Sequence, residues 1–256
     1  MDNILKIENL SYKNILSDVT FSLKEKTFNI LIGANGSGKT TLVNCIRNIN
    51  TYKGTIIFNN YIINENSYNE IGFFSDEPIF LEDNLFNELL LTLENTNYEK
   101  EKAKKRIYDL AKKFDTIDLL FKDIKTITYK EKTLVNFLFS IIHEPKLLII
   151  DNDLEIFDEK NENLILDYLK NQKKITILFI TNNNKYFYLA DNLLFLNQGK
   201  IVLIGTLEEV QSEEKIFIKC GSSLPFEIDL SDKHISNELI DSVKNDTKEM
   251  VNEIWK

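Results

Sequence analysis

Apolar stretches near the start of the chain alternate with turns in a way that predicts three strands followed by a helix. Residues 4–7 and 19–23 alternate apolar with polar side chains around a turn at 12–14, which is typical of two half-buried antiparallel strands. The run at 28–32 is apolar enough to indicate a buried strand. It leads through a glycine-rich segment into residues 39–49, which we expect to be helical.

The middle of the chain has a helical pattern, and the part after it returns to strands. Between residues 84 and 144 the pattern predicts a helical insert. One apolar stripe of this insert contains Phe86, Leu89, Leu90 and Leu93. The apolar runs at 147–150 and 175–180 are typical of a parallel sheet, and those at 193–196 and 200–204 predict a closing meander.

These elements predict an α/β fold with a mixed β-sheet core, an antiparallel β subdomain and a helical insert. We expect the core domain to span residues 1–208. Residues 209–256 are then a small C-terminal appendage, in which 215–219 are expected to form a strand. The sequence has no internal repeat, so it contains one such module.

Composition and charge narrow the possible functions. With 43% hydrophobic and 28% charged residues, the chain is neither collagen-like nor wholly disordered. A formal net charge of −9 argues against a nucleic-acid partner, because phosphate neutralisation needs an excess of Lys and Arg on one face. Cys45 and Cys220 are too far apart for a disulfide framework or a metal finger, and we interpret both as core thiols.

The sequence contains no apolar run of the roughly 18 residues that a membrane-spanning helix needs. Its first ten residues also lack the basic start and apolar middle of a signal peptide. We therefore expect the chain to lie in the cytoplasm, with any membrane pore formed by another polypeptide.

A phosphate-binding motif follows the third predicted strand. It has two glycines five positions apart, then Lys and Thr, and its residues are Gly33, Ala34, Asn35, Gly36, Ser37, Gly38, Lys39 and Thr40, with Thr41 next. Glycines allow the tight path that turns N–H groups towards phosphate oxygens, and the following helix adds its positive end. We expect Lys39 to reach the β- and γ-phosphates and the Thr40 hydroxyl to coordinate Mg²⁺.

A phosphate loop alone does not separate kinases, GTPases and transport ATPases, so the position of the partner acid matters. The next strand that ends in an acid precedes Asp151, which lies 112 residues after Lys39, with the helical insert between them. This layout resembles the ABC ATPase family over residues 1–208. The resemblance depends on the run GANGSGKTTL, the run LLIID, Asp158 at the family's D-loop position, and the ending Gly199-Lys200-Ile201-Val202.

The resemblance implies an ATP-binding subunit that pairs with a second ATP-binding subunit, as a homodimer or heterodimer. It also implies a transmembrane permease as partner, at the inner face of the cell membrane. Lys39 and Asp151 are the implied catalytic residues, and Tyr12 is the candidate for stacking on adenine. Thr40, Asp151 and Asp76 are the candidate Mg²⁺ ligands, since Asp76 stands where the family has a glutamine.

Two further polar positions depart from the family. Asn152 stands where members carry the glutamate that polarises the attacking water, and an amide cannot accept that proton. Asp153 follows, but consecutive side chains of an extended segment point in opposite directions, which makes a simple exchange awkward. Asn182 stands where members carry the switch histidine.

The segment that signals to a partner subunit is also altered. Residues 127–131 align with the family's LSGGQ signature and lack both glycines. Thr128 and Glu131 form a capping-box pattern that starts a helix, which favours a structural interpretation. In the alternative, Lys130 offers a side-chain cation to the partner's phosphate.

Three functions follow from these observations. The leading one is an ATP-binding transporter subunit with weak hydrolysis. The second is a fully active transport ATPase that uses substitute groups such as Asp76 and Asp153. The third is a soluble ATP-dependent switch without a pore, for which the C-terminal appendage would be the docking surface.

Overall fold

The computed structural model describes residues 2–75, 80–96 and 98–223 of the 256-residue chain. The chain divides into Met1–Leu224 and Pro225–Lys256, and all the described residues belong to the first unit. Residues 209–223, assigned from the sequence to the appendage, are therefore part of the first unit. The remainder of the predicted appendage lies outside the described residues.

The first of two sheets is antiparallel, as the alternating pattern near the start of the chain predicts. Its strands are β1 (Asn3–Tyr12), β2 (Leu16–Lys24), β4 (Lys53–Phe58) and β5 (Tyr61–Ile62), in the order β2-β1-β4-β5. Buried and exposed residues largely alternate along β2, because one face of this sheet packs on the core.

The second sheet is mixed and carries the site. Its strands are β3 (Phe28–Ile32), β6 (Ile71–Phe74), β7 (Leu147–Ile150), β8 (Thr176–Ile180), β9 (Asn192–Asn197) and β10 (Lys200–Gly205). The order is β10-β9-β3-β8-β7-β6, and every neighbouring pair is parallel except β10 with β9. The predicted parallel sheet and closing meander are confirmed.

Seven α-helices lie within the described residues. They are α1 (Lys39–Ile46), α2 (Leu85–Asn95), α3 (Lys100–Lys113), α4 (Tyr129–Ile142), α5 (Glu159–Lys170), α6 (Leu207–Val210) and α7 (Glu214–Lys219). The predicted helical insert is confirmed as α2 to α4, between β6 and β7. In α4 the predicted capping box is present, because Thr128 N–H donates to Glu131 Oε2 at 2.7 Å and Glu131 N–H to Thr128 Oγ1 at 3.3 Å.

The core has two layers, one on each face of the mixed sheet. Strand β3 divides its side chains between them, because successive residues of a strand point to opposite faces. Ile30 and Ile32 pack in the layer that includes the helical insert. Leu31 packs in the other layer, with Leu42 and Val43 of α1. This burial on both faces fixes β3, and with it the start of the phosphate loop.

The predicted strand at 215–219 is wrong, because this segment is helix α7. Phe217 and Cys220, three residues apart, are fully buried, whereas Ile218 is 65% exposed. That spacing matches a helix period rather than a strand period. Phe217 contacts Phe195 of β9 edge to face, with ring centroids 4.8 Å apart, so packing against the sheet decides the conformation.

Candidate functional site

The candidate site lies where three neighbouring strands end. In the sheet, β8 lies between β3 and β7, and the three run parallel. Their carboxyl ends therefore meet at one edge, where parallel α/β sheets bind ligands. The phosphate loop follows β3, Asp151 follows β7, and Thr181 follows β8. The strand order thus brings together three segments that are far apart in the sequence.

The phosphate loop has the backbone conformation that its glycines permit. Gly36 and Gly38 have φ values of 79° and 108°, which side chains of L-residues rarely allow. A Cβ atom on Gly38 would also lie 2.8 Å from the Leu16 side chain. Helix α1 begins at Lys39, so the N–H groups of its first turn lack helical partners and are available to bind an anion.

Lys39 lies half buried inside the loop. Its Nζ donates to the carbonyl oxygen of Gly33 and, at 3.2 Å, to that of Ala34. Burial lowers the pKa of Lys39, and the negative charge of Asp151 opposes this shift. A phosphate is a stronger, charged acceptor than either carbonyl, so a bound nucleotide can draw the ammonium group away from them.

The residues at the sheet edge fit a magnesium ion held mainly by phosphate. Thr40 is exposed in the first turn of α1, and Asp151 directly follows β7. The described residues include no group of three or more His, Cys, Asp or Glu that could hold a metal by itself. Mg²⁺ commonly uses one or two protein ligands with phosphate oxygens and water, which Thr40 and Asp151 can supply. Asp76 lies outside the described residues.

Asn182 contacts the phosphate loop directly. Its Oδ1 accepts a hydrogen bond from the backbone N–H of Gly33 at 3.0 Å. Asn152, after β7, instead accepts the N–H of its neighbour Asp153 through Oδ1 at 2.7 Å. Both positions therefore carry neutral amides at the edge of the site, and neither amide can take up a proton at neutral pH.

Asp153 is tied to the end of β8. Its Oδ2 accepts a hydrogen bond from Thr181 Oγ1 at 3.1 Å, and Thr181 Oγ1 accepts the N–H of Asn183 at 3.0 Å. The other oxygen, Oδ1, is buried without a partner among the described residues. Burial raises the pKa of Asp153, and the bond from Thr181 partly offsets the rise. The carboxylate therefore has a structural partner across the sheet edge.

Tyr12 lies at the end of β1 and is partly buried. The Nζ of Lys13 lies 4.9 Å from the centre of its ring, in a cation–π contact. The ring also packs against the core layer that includes α1. Stacking of Tyr12 on adenine stays a prediction.

Gly199, in the turn between β9 and β10, contributes to the site in a way the sequence did not indicate. Its N–H donates to the Ser37 carbonyl at 2.9 Å, and its carbonyl accepts the Ser17 N–H at 2.9 Å. A Cβ atom there would lie 1.9 Å from the Ile15 carbonyl oxygen. Gly199 therefore joins the phosphate loop to the β1–β2 hairpin. A glycine between two apolar runs signals a turn, but not this contact.

Comparison with known proteins gives a consistent family match. A family model described as "ABC transporter" matches residues 16–154. A putative ABC transporter ATP-binding protein of Mycoplasma genitalium is 28% identical over 268 aligned positions, covering 99% of each chain. The energy-coupling factor transporter ATP-binding protein EcfA of Pediococcus pentosaceus is 25% identical, covering 91% of this chain and 89% of its own.

Solved structures support the same fold. One described as the ATP-binding subunit of an ABC transporter aligns with a TM-score of 0.77 at 24% identity, covering 86% of this chain and 95% of its own. No helix among the described residues is long and apolar enough to cross a membrane.

Proposed function

The chain belongs to the ABC transporter family as an ATP-binding subunit, and from this premise we propose that it binds ATP with Mg²⁺ and hydrolyses it slowly. The observation that carries the proposal is the convergence at one sheet edge of a charged pair and two amides. Lys39 and Asp151 can bind the nucleotide and its metal, whereas Asn152 and Asn182 stand where the family has a proton acceptor and a histidine.

We assign binding to the loop from Gly33 to Thr41, with the ammonium of Lys39 neutralising charge on the β- and γ-phosphates. Mg²⁺, when bound, polarises the phosphoryl group, and Thr40 and Asp151 would hold it. In this role the ammonium group of Lys39 exchanges its hydrogen bonds to the two loop carbonyls for hydrogen bonds to phosphate oxygens. Tyr12 is the proposed adenine contact, because it ends β1 beside the turn that Gly199 fastens to the loop.

Slow hydrolysis follows from the absence of a suitable base at two positions. Asn152 has no carboxylate, and its amide oxygen already accepts the N–H of the next residue. Asp153 has a carboxylate, but its Oδ2 accepts a hydrogen bond from Thr181 and its Oδ1 is buried, so neither oxygen is open to an attacking water. Removing a general base typically lowers the rate by about 10²–10⁴. Phosphate positioning by Lys39 and Mg²⁺ still supports some turnover.

The first test measures steady phosphate release by the purified chain with saturating Mg-ATP, with Lys39→Ala as the blank. We expect wild-type release slightly above the blank, and a clear rise in Asn152→Glu, which supplies a carboxylate at the missing position. Wild-type release of about 1 s⁻¹ or more, as in ordinary enzymes, would show that substitute groups act and that slow hydrolysis is wrong. ATP binding measured in parallel tests the nucleotide site independently of turnover.

We further propose that the helical insert docks a transmembrane permease, which would place the chain at the inner face of the cell membrane. An aromatic patch on the insert supports this. Phe121 is 65% exposed, and Phe86 stacks on it with ring centroids 5.3 Å apart. Tyr108 lies 5.9 Å from Phe86, between centroids. Exposed clusters of this kind commonly mark protein contacts.

Membrane fractionation tests the docking proposal. In native cells, Phe121→Ser is expected to shift the chain from the membrane pellet to the supernatant, while ATP binding by the purified variant stays unchanged. Tyr61→Ser is the matched control, because Tyr61 is an aromatic residue 72% exposed on β5 of the other sheet. Equal membrane recovery of wild type and Phe121→Ser would argue against docking through the patch, and recovery of all three in the supernatant would favour the switch without a pore.

We also propose that two ATP-binding subunits pair around ATP, as the family membership implies. The altered signature makes the pairing testable. Tyr129 is 56% exposed at the start of α4, in place of a glycine that would allow close backbone approach. We expect the chain alone to stay monomeric with ATP in light-scattering measurements, and to pair with a second, more complete subunit. A stable homodimer with ATP would show that Tyr129 does not obstruct self-pairing.

A further inference from the structure

The end of α7 lies on the phosphate loop. We call residues 220–223 the C-terminal strap. Gly221 has a φ of 73°, and a Cβ atom there would lie 3.2 Å from the Cα and 3.4 Å from the Cβ of Ala34. This combination favours glycine, because a side chain would meet both an unfavourable backbone conformation and a close contact with the loop. The strap backbone therefore packs directly against the second residue of the phosphate loop.

The strap is also hydrogen-bonded to the segment after β8. The hydroxyl of Ser222 donates to the backbone carbonyl of Asn182 at 2.7 Å. The side-chain amide of Asn184 donates to the hydroxyl of Ser223 at 3.0 Å. On its other side the strap continues α7, since the Ser222 N–H donates to the Phe217 carbonyl at 3.0 Å. Phe217 is fully buried, so the strap starts from a fixed point.

These contacts close a ring around Asn182. Its side-chain oxygen accepts the Gly33 N–H, its backbone carbonyl accepts Ser222, and Gly221 packs on Ala34, next to Gly33. Because Oδ1 accepts the Gly33 N–H, the amide's Nδ2 lies on the side of the strap, 3.7 Å from where a Cβ atom on Gly221 would be. An asparagine side chain is otherwise free to turn about χ2, which is broad and roughly two-fold.

We propose that Ser222 and Gly221 are positioning residues of the nucleotide site. They hold Asn182 against the phosphate loop and thereby set the affinity for ATP. The C-terminal strap thus makes the nucleotide site depend on residues 180 positions or more after the loop begins. This inference goes beyond the proposed function and rests on its ATP-binding step.

Calorimetric titration of the full-length chain with Mg-ATP tests the role of Ser222. Ser222→Ala removes one hydrogen bond, so we expect about threefold to tenfold weaker binding. Ser222→Thr keeps the hydroxyl and is expected to bind Mg-ATP with the affinity of the wild type. Ser212→Ala is the matched control, because Ser212 is an exposed serine of the same C-terminal stretch. Thermal unfolding of each variant shows whether the fold is retained.

A double-mutant cycle separates positioning from a general structural effect. If Ser222 acts through the Asn182 side chain, Ser222→Ala will have no further effect on affinity once Asn182→Ala is present. Independent effects would instead multiply, and that result would overturn the proposal, as would unchanged affinity in Ser222→Ala. Lys39→Ala gives the baseline. If the wild type binds ATP no better than Lys39→Ala, ATP binding itself is refuted. If the wild type binds ATP and Ser222→Ala binds it equally well, only the role of the strap is refuted.

Discussion

Replacing Gly199 by Ala tests the link between the phosphate loop and the β1–β2 hairpin. Two separate costs arise at this position. Its φ of 74° belongs to the left-handed region, where an alanine is strained. The added Cβ would also lie 1.9 Å from the Ile15 carbonyl oxygen, a backbone atom that cannot turn aside. The turn must therefore move away from the hairpin.

Gly36→Ala provides the matched comparison. Gly36 has a similar φ of 79°, but a Cβ atom there would have no neighbour within 4 Å. It therefore incurs only the backbone strain, about 1–2 kcal/mol. Moving Gly199 also breaks its hydrogen bonds to Ser37 and Ser17, each worth about 0.5–1.5 kcal/mol. We expect Gly199→Ala to lose about 2–5 kcal/mol of unfolding free energy in all.

The assay is urea unfolding of both variants and the wild type without nucleotide, followed by circular dichroism. The expected result is a markedly lower midpoint for Gly199→Ala than for Gly36→Ala, with similar slopes. Equal losses in the two variants would show that the contact with Ile15 costs nothing and that the turn does not fasten the loop. A wild-type midpoint in Gly199→Ala would refute both parts of the reasoning.

Three further outcomes are expected. Thr181→Val removes two hydrogen bonds, one to the partly buried carboxylate of Asp153 and one from the N–H of Asn183, and should lower the unfolding free energy at pH 7 by about 2–4.5 kcal/mol, whereas Thr181→Ser should not. Burial lowers the pKa of His143, so the unfolded chain takes up the proton first. Stability should therefore fall as pH drops below about 6.5, and a pH series of unfolding midpoints should be flatter in His143→Leu. Lys130→Ala should leave ATP affinity unchanged, because Lys130 is exposed in a helix start that Thr128 already caps; weaker binding in the paired state would instead indicate a contact with the partner's phosphate.

Elements with a strong local pattern were predictable from the sequence. Elements whose conformation depends on contacts with distant parts of the chain were not. Strand β3, the glycine loop and helix α1 could be predicted because the residues that determine them are consecutive in the sequence. Strand β6 has only four residues, and its pairing of Phe74 with Ile150 joins positions far apart in the chain. The error at 215–219 has the same origin, because three consecutive apolar residues fit either period until Phe195 selects one.

The same division holds for the site. Lys39 and Asp151 were predicted from their motifs, and their roles stay predictions, although the charge of Asp151 does act on the pKa of Lys39. The sequence did not predict the hydrogen bond between Thr181 and Asp153, because neither residue belongs to a phosphate-binding motif. The contact of Ser222 with Asn182 joins residues 40 positions apart, which no local pattern could indicate.

The strand order has a consequence for how the two sides of the site communicate. After β8, the Thr181 hydroxyl donates a hydrogen bond to Asp153, which follows β7. The next residue, Asn182, accepts a hydrogen bond from the N–H of Gly33, which follows β3. Two consecutive side chains after β8 thus contact the segments that follow its two neighbouring strands. If the phosphate loop shifts when Lys39 turns to ATP, the shift can be transmitted to the segment after β7 through the peptide unit that joins Thr181 and Asn182. That path crosses the sheet and requires no helix to move.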